Sequence, residues 1–302
     1  MTKPSAHVLF SPRVAAPFLL VALIWGSTWW VITGQIGDVP ASWSVTWRFL
    51  LAMPCMFVLA LIYRKPIYIG RSGHAAAICV GLTQFCFNFN FVYRAEAHLT
   101  SGIVAVMFGM LIVPNAILGR IVLGQQMTAR FLLGGVLAIG GIAMLLTHEA
   151  QLSPLGGNIT LGIALAIGGI LSASIANVMQ ANRTGMAVPL LSLLAWAMLY
   201  GVIADFALAW ATAGPPVIPT RLDYWAGTAW LALAGSAVTF PLYYAIVREI
   251  GPGRAAYNGV FVVIIAMLIS TLIEGYEWSL LAGGGAILAL VGMVLALQAK
   301  NS

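Results

Sequence analysis

Apolar runs of roughly 20 residues recur along the whole 302-residue chain, separated by short polar or Gly/Pro-containing breaks. A helix of about 20 residues crosses a hydrocarbon layer about 30 Å thick, and in lipid a helix satisfies its own backbone hydrogen bonds. Ten spans are read, at about 14–33, 42–63, 74–94, 98–119, 128–147, 157–181, 187–212, 225–247, 253–273 and 279–299. The chain is 61% hydrophobic and 7% charged, with a mean hydropathy of +0.98, whereas soluble domains carry about a quarter charged residues. Composition therefore excludes a soluble globular domain, a disordered chain and a coiled coil. The expected fold is an all-α membrane protein of ten transmembrane helices, with the lipid bilayer as its principal partner.

The charges orient those helices. Short cytoplasmic loops hold the Lys/Arg excess of a membrane protein, and an inside amino terminus puts Lys3, Arg13, Arg64, Lys65, Arg71, Arg120, Arg130, Arg183, Arg248, Arg254 and Lys300 on that side. Only Arg94 and Arg221 fall outside, while Arg48 and Asp205 lie within the second and seventh spans. Asp38, Glu96, Glu149, Asp223, Glu274 and Glu277 fall on the outer side. Both termini are expected to be cytoplasmic. Lys3 and Arg13 precede an apolar run without a small-residue cleavage site, which reads as a retained first helix rather than a secretory signal. The basic residues are scattered through loops, so no nucleic-acid surface is expected. Cys55, Cys79 and Cys86 lie inside apolar segments and read as small core residues, not as disulfides or metal ligands.

Shifting the chain on itself by half its length places Tyr93 on Tyr244, Gly124 on Gly275, Thr128 on Ser279, Gly134 on Gly285, Ala138 on Ala289 and Gly141 on Gly292. Each half then holds five spans, and an odd number forces the halves into opposite orientations. The loop between spans four and five carries Arg120 and Arg130; its counterpart carries Glu274 and Glu277, as inversion requires. The expected organisation is a tail (1–13), a first five-helix repeat (14–150), a second, inverted repeat (151–299) and a short tail (300–302). Inverted repeats are a recurring build of transporters.

The run Ile24-Trp25-Gly26-Ser27-Thr28-Trp29, the segment Arg48-Phe49-Leu50-Leu51-Ala52, the start Ala97-His98-Leu99-Thr100-Ser101-Gly102 and the end Leu272-Ile273-Glu274 before Trp278-Ser279 occur in that order. Together with ten spans and a half-chain repeat, this pattern resembles the EamA family of the drug/metabolite transporter superfamily over nearly the whole chain. Within it, the chain looks most like the YddG-type exporters of aromatic and other neutral amino acids in bacterial inner membranes. The resemblance implies a central cavity formed by helices one, three, four, six, eight and nine, with two, five, seven and ten more peripheral. It also implies alternating access and no organic cofactor. The first helix lacks the essential Glu of the small multidrug pumps of that superfamily, which weighs against a cationic-drug substrate.

Polar side chains at the midplane are costly without partners or substrate. Gln84 and Asn88 stand four apart on one face of helix three, beside Phe85 and Phe89. Helix eight offers Ser236, Thr239, Phe240, Tyr243 and Tyr244; helices one, six and nine add Trp25, Thr28, Ser174, Asn177, Tyr257 and Asn258. Amides and hydroxyls bind ammonium and carboxylate groups without net charge, and aromatic rings contact an apolar side chain or face a cation. The same residue types also join membrane helices to one another. Arg48 and Asp205 are expected to have a structural role, either as a pair between helices two and seven or with Arg48 snorkelling outward, with a substrate-carboxylate contact by Arg48 or a proton step at Asp205 as the alternatives. Pro114 and Pro241 are expected hinges.

No GxSxG, HExxH or GxGD motif supports an intramembrane enzyme, and no charged ring or filter-like loop supports a channel. The expected function is a gradient-driven exporter of neutral, mainly aromatic or bulky apolar, amino acids without cofactor or metal. Its alternative is an exporter of another small metabolite or an organic cation on the same fold, with or without proton coupling. The spans prefer neither a monomer nor an oligomer.

Overall fold

In the computed structural model, which describes residues 12–124, 127–152, 156–250, 255 and 257–298, the apolar runs are helices and no strand occurs among the described residues. We number the long helices α1 (Pro12–Thr33), α2 (Ala41–Ile62), α3 (Gly70–Ala95), α4 (Ser101–Leu123), α5 (Ala129–Leu152), α6 (Ile159–Ala181), α7 (Leu190–Ala213), α8 (Leu222–Glu249), α9 (Tyr257–Ile273) and α10 (Leu280–Gln298). The first eight are long and apolar enough to cross a membrane; α9 and α10 are shorter apolar helices. The sequence-expected tails 1–13 and 300–302 lie almost wholly outside the described residues.

Several residues 151 positions apart do the same local work. Thr128 Oγ accepts from Phe131 N (3.2 Å) at the start of α5, and Ser279 Oγ accepts from Ala282 N (3.1 Å) at the start of α10. Each supplies an acceptor to a helix end that otherwise leaves N–H groups unpaired. Gly124 follows α4 and Gly275 follows α9, with φ of 69° and 70°, a left-handed conformation that glycine adopts without steric cost.

The helices α5 and α10 lie antiparallel and meet through glycine. A Cβ on Gly134 would stand 2.3 Å from Ala296 N and 2.6 Å from Gly292 O; one on Gly141 would stand 2.3 Å from Ala289 N and 2.5 Å from Gly285 O. Shifting by 151 residues exchanges the Gly134–Gly292 contact with the Gly141–Gly285 contact. Small residues permit this backbone approach, which replaces the hydrophobic driving force that lipid does not supply. Helices α2 and α7 are also antiparallel, with Trp43 against Phe206 near one end (ring centroids 5.3 Å) and Phe57 against Trp196 near the other (5.6 Å).

Three helices are irregular where the cavity forms. In α3, residues Gly81–Asn88 form a π-helical segment; in α8, Leu233–Val238 do so, and the shift by 151 superimposes the second range on 82–87. Such wide turns are uncommon and concentrate at functional sites. Pro241, three residues beyond the α8 segment, has no N–H for Ala237 O. At the matching position of α3, Asn90 Nδ2 donates to Cys86 O (3.0 Å). In α4, the α-helix stops at Gly109 and resumes at Ile112, because Pro114 cannot donate to Met110 O. Both sequence-expected hinge prolines therefore sit beside a backbone irregularity, whereas α2 runs on through Pro54.

Candidate functional site

A central cavity of about 140 Å³ lies among α1, α3, α4, α6, α8 and α9. At roughly 10–15 Å³ for each water-sized position, it holds about ten, on the scale of a small metabolite. Its aromatic wall combines Trp25, Trp29, Phe89, Phe108, Phe240 and Tyr243. Trp25 packs on Tyr243 and Phe240 (ring centroids 4.8 and 5.5 Å), and Trp29 packs on Phe108 (5.2 Å).

A neutral polar cluster occupies another part of the wall. Tyr244 Oη lies 3.3 Å from both Gln84 Oε1 and Asn177 Oδ1, and Asn177 Nδ2 donates to Asn115 Oδ1 (3.5 Å). A phenol has one proton, so it serves one amide carbonyl at a time and leaves the other for a ligand. Asn258 Nδ2 donates to Phe18 O (2.6 Å), tying α9 to α1. The buried oxygens Asn88 Oδ1 and Asn258 Oδ1 have no hydrogen-bond partner, nor has Trp29 Nε1. Unpaired polar atoms in a buried wall cost free energy.

Of the residues expected from sequence, Trp25, Thr28, Gln84, Asn88, Asn177, Phe240, Tyr243, Tyr244 and Asn258 line this cavity. Ser236 and Thr239 are buried but not on its wall. Thr239 is adjacent to Phe240 and so projects about 100° away from it. Ser236 would share the Phe240 face in a regular α-helix, but the wide π turn between them rotates it toward α2, where it meets Arg48. The side chain of Tyr257 lies outside the described residues. Trp29, Phe108 and Asn115 complete the wall without having been expected; Asn115, a midspan amide next to a helix-breaking proline, carried the clearest signal.

Neither structural reading of Arg48 holds: it makes no pair with Asp205, although α2 and α7 pack together, and at 1% exposure it does not snorkel outward. Asp205 Oδ1 accepts from Asn90 Nδ2 of α3 (2.8 Å). Arg48 reaches away from α7: Nε donates to Ser236 Oγ (3.1 Å), Nη2 to Gly235 O (3.3 Å), and the guanidinium lies 4.3 Å from the Phe89 ring centroid. Trp25 Nε1 also donates to Gly235 O (3.3 Å), so one carbonyl of the π segment holds two cavity side chains. Helix α2, expected to be peripheral, thus places its one charged side chain on the cavity wall.

The acids read as loop residues are partly internal. Glu96 and Glu149 are buried. Glu149 Oε1 accepts from Thr100 N (2.9 Å), and Glu274 Oε2 accepts from Ser101 Oγ (2.7 Å), so two carboxyl groups flank the amino end of α4, where anionic groups are favoured. Burial, with Glu274 nearby, pushes the Glu96 carboxyl well above the usual range. A second, more open cavity at this end is bordered by Tyr93, Arg94 and His98.

Membrane-spanning helices around a central polar and aromatic cavity of metabolite size define a multi-pass membrane transporter. Residues 14–147 and 160–298 each match the EamA-like transporter family, to which the chain belongs. It is 22% identical over 284 residues to the protein PagO of Salmonella typhimurium, with 94% of this chain and 92% of that one aligned. It is 24% identical over 283 residues to the uncharacterized transporter YyaM of Bacillus subtilis, covering 90% and 89%. A crystal structure 16% identical in sequence shares the fold, with a TM-score of 0.64 over 93% of this chain and 95% of that one.

Proposed function

We propose that this protein exports neutral amino acids, mainly aromatic or bulky apolar ones, across a bacterial inner membrane. The observation that carries the reading is the wall chemistry: an uncharged amide and hydroxyl cluster (Gln84, Asn115, Asn177, Tyr244) beside six aromatic rings, in a space of amino-acid size. The guanidinium of Arg48 on the same wall disfavours an organic cation by like-charge repulsion. A phosphorylated donor would call for several cavity cations, and Arg48 is the one charged side chain among the described lining residues.

The proposed mechanism is alternating access by two inverted five-helix units, residues 14–150 and 151–299, with both termini cytoplasmic. The antiparallel contacts of α5 with α10 and α2 with α7, together with the matching π segments, support it. Two units of one build can exchange conformations and expose a shared site to each side. We take the driving force to be the substrate's own gradient, as in a facilitator, and the YddG-type exporters as the nearest functional analogy.

The test is uptake of labelled phenylalanine, threonine and an organic cation by liposomes containing the purified protein, with and without an imposed proton gradient. Saturable phenylalanine flux without a proton gradient is expected, with threonine slower and the cation excluded. Cation flux in protein that moves no amino acid would overturn the substrate assignment.

A further inference from the structure

We propose that Arg48 is the carboxylate anchor of the transport site and the residue that makes it select amino acids over their uncharged-end or amine analogues. This rests on the amino-acid reading above and adds how the substrate is oriented.

Arg48 is 1% exposed, has no carboxylate within 4 Å among the described residues, and borders the cavity. Its Nε and Nη2 are held by Ser236 and Gly235, while Nη1 has no hydrogen-bond partner. The Tyr93 hydroxyl lies beside the guanidinium and interacts with it, but a neutral phenol supplies no counter-charge. Stacking on Phe89 and a second ring, Phe49 at 5.4 Å, offsets part of the desolvation of this cation. It does not replace an anion: a buried guanidinium with a free donor is strongly destabilising unless paired.

Among the described residues, the carboxyl group whose field reaches Arg48 is Glu96, which is 3% exposed with both oxygens unpaired. Burial favours its neutral form, so the guanidinium is left without a counterion when the cavity is empty. A guanidinium held at Nε and Nη2 and lacking a counter-charge is preorganised for a carboxylate, because little rotamer freedom remains to be lost on binding. Asn88, on the wall next to Phe89 and with its Oδ1 unpaired, would take the ammonium by turning its amide toward the cavity. The substrate side chain then lies against Trp25, Phe240 and Tyr243.

The experiment compares phenylalanine, phenylalanine amide and 3-phenylpropionate as competitors of labelled-phenylalanine flux and as ligands that raise the melting temperature of the purified protein. In the wild type, the acid is expected to act about ten- to a hundredfold more tightly than the amide, the range of a charge-assisted hydrogen-bond pair. Phenylpropionate is expected to bind measurably without its ammonium. R48Q is expected to bring the acid-to-amide ratio close to one, and R48K to keep part of it, since a lysine retains the charge but not the fork. A wild type that takes amide and acid equally, or an R48Q protein that keeps the wild-type ratio, would overturn the anchor. Wild-type binding of phenylpropionate but not of phenylalanine would leave the anchor standing and overturn the amino-acid reading. Binding of neither would overturn both. The wild-type comparison stands even if R48Q does not fold.

Discussion

Gly141→Leu is expected to remove most of the folded protein, with the melting temperature in detergent falling by many degrees or the monodisperse peak disappearing. Even a methyl group at this position would meet Ala289 N at 2.3 Å and Gly285 O at 2.5 Å, both backbone atoms that cannot rotate aside. Overpacking in a close-packed interior costs about 1–3 kcal/mol when side chains can shift; here the helices α5 and α10 must separate along their length. Gly283→Leu is the control, since among the described residues nothing lies within 4 Å of a Cβ there. Equal melting temperatures for the two variants would show that the glycine contact does not hold these helices together.

Asn177→Leu is expected to reduce phenylalanine transport at least tenfold while leaving the protein as stable as the wild type. The replacement has similar volume and removes two amide contacts of 3.3 and 3.5 Å, long enough that each contributes little to stability. If Asn177 served only to join α6 to α4 and α8, the variant would melt lower and keep its apparent KM. Flux and melting temperature measured on the same preparation separate the two roles.

Those variants also mark how far the sequence could be read. Glycine at 134, 141, 285 and 292 aligned in the half-chain comparison and met in space, because close helix approach needs small residues and the spacing survives in composition. Thr128 and Ser279, and Gly124 and Gly275, aligned in the same comparison, and their shared roles as helix caps and left-handed glycines emerged only in the structure. Cavity residues on α1, α3, α6, α8 and α9 were found as polar or aromatic exceptions within apolar spans.

What escaped depended on geometry that residue types do not encode. A π turn is a change of hydrogen-bond register, so a constant 100° per residue put Ser236 on the cavity side. Arg48 was expected either to pair with Asp205 or to snorkel outward, but its long side chain turns to α8 and stacks on Phe89 instead. Glu96 and Glu149 were placed on the outer side by the charge rule; α5 runs on past Glu149, Glu96 caps α3, and packing buries both. Asn115 was overlooked beside the more conspicuous Pro114.

The central claim is that one cavity binds an amino acid and opens to each side in turn. Ala173 lines it and carries no polar contact that substitution would remove. In protein whose three native cysteines are replaced, an Ala173→Cys variant in oriented vesicles should react with a membrane-impermeant maleimide applied from either side, and phenylalanine should slow both reactions. Labelling from one side only, or labelling that phenylalanine does not slow, would contradict the account.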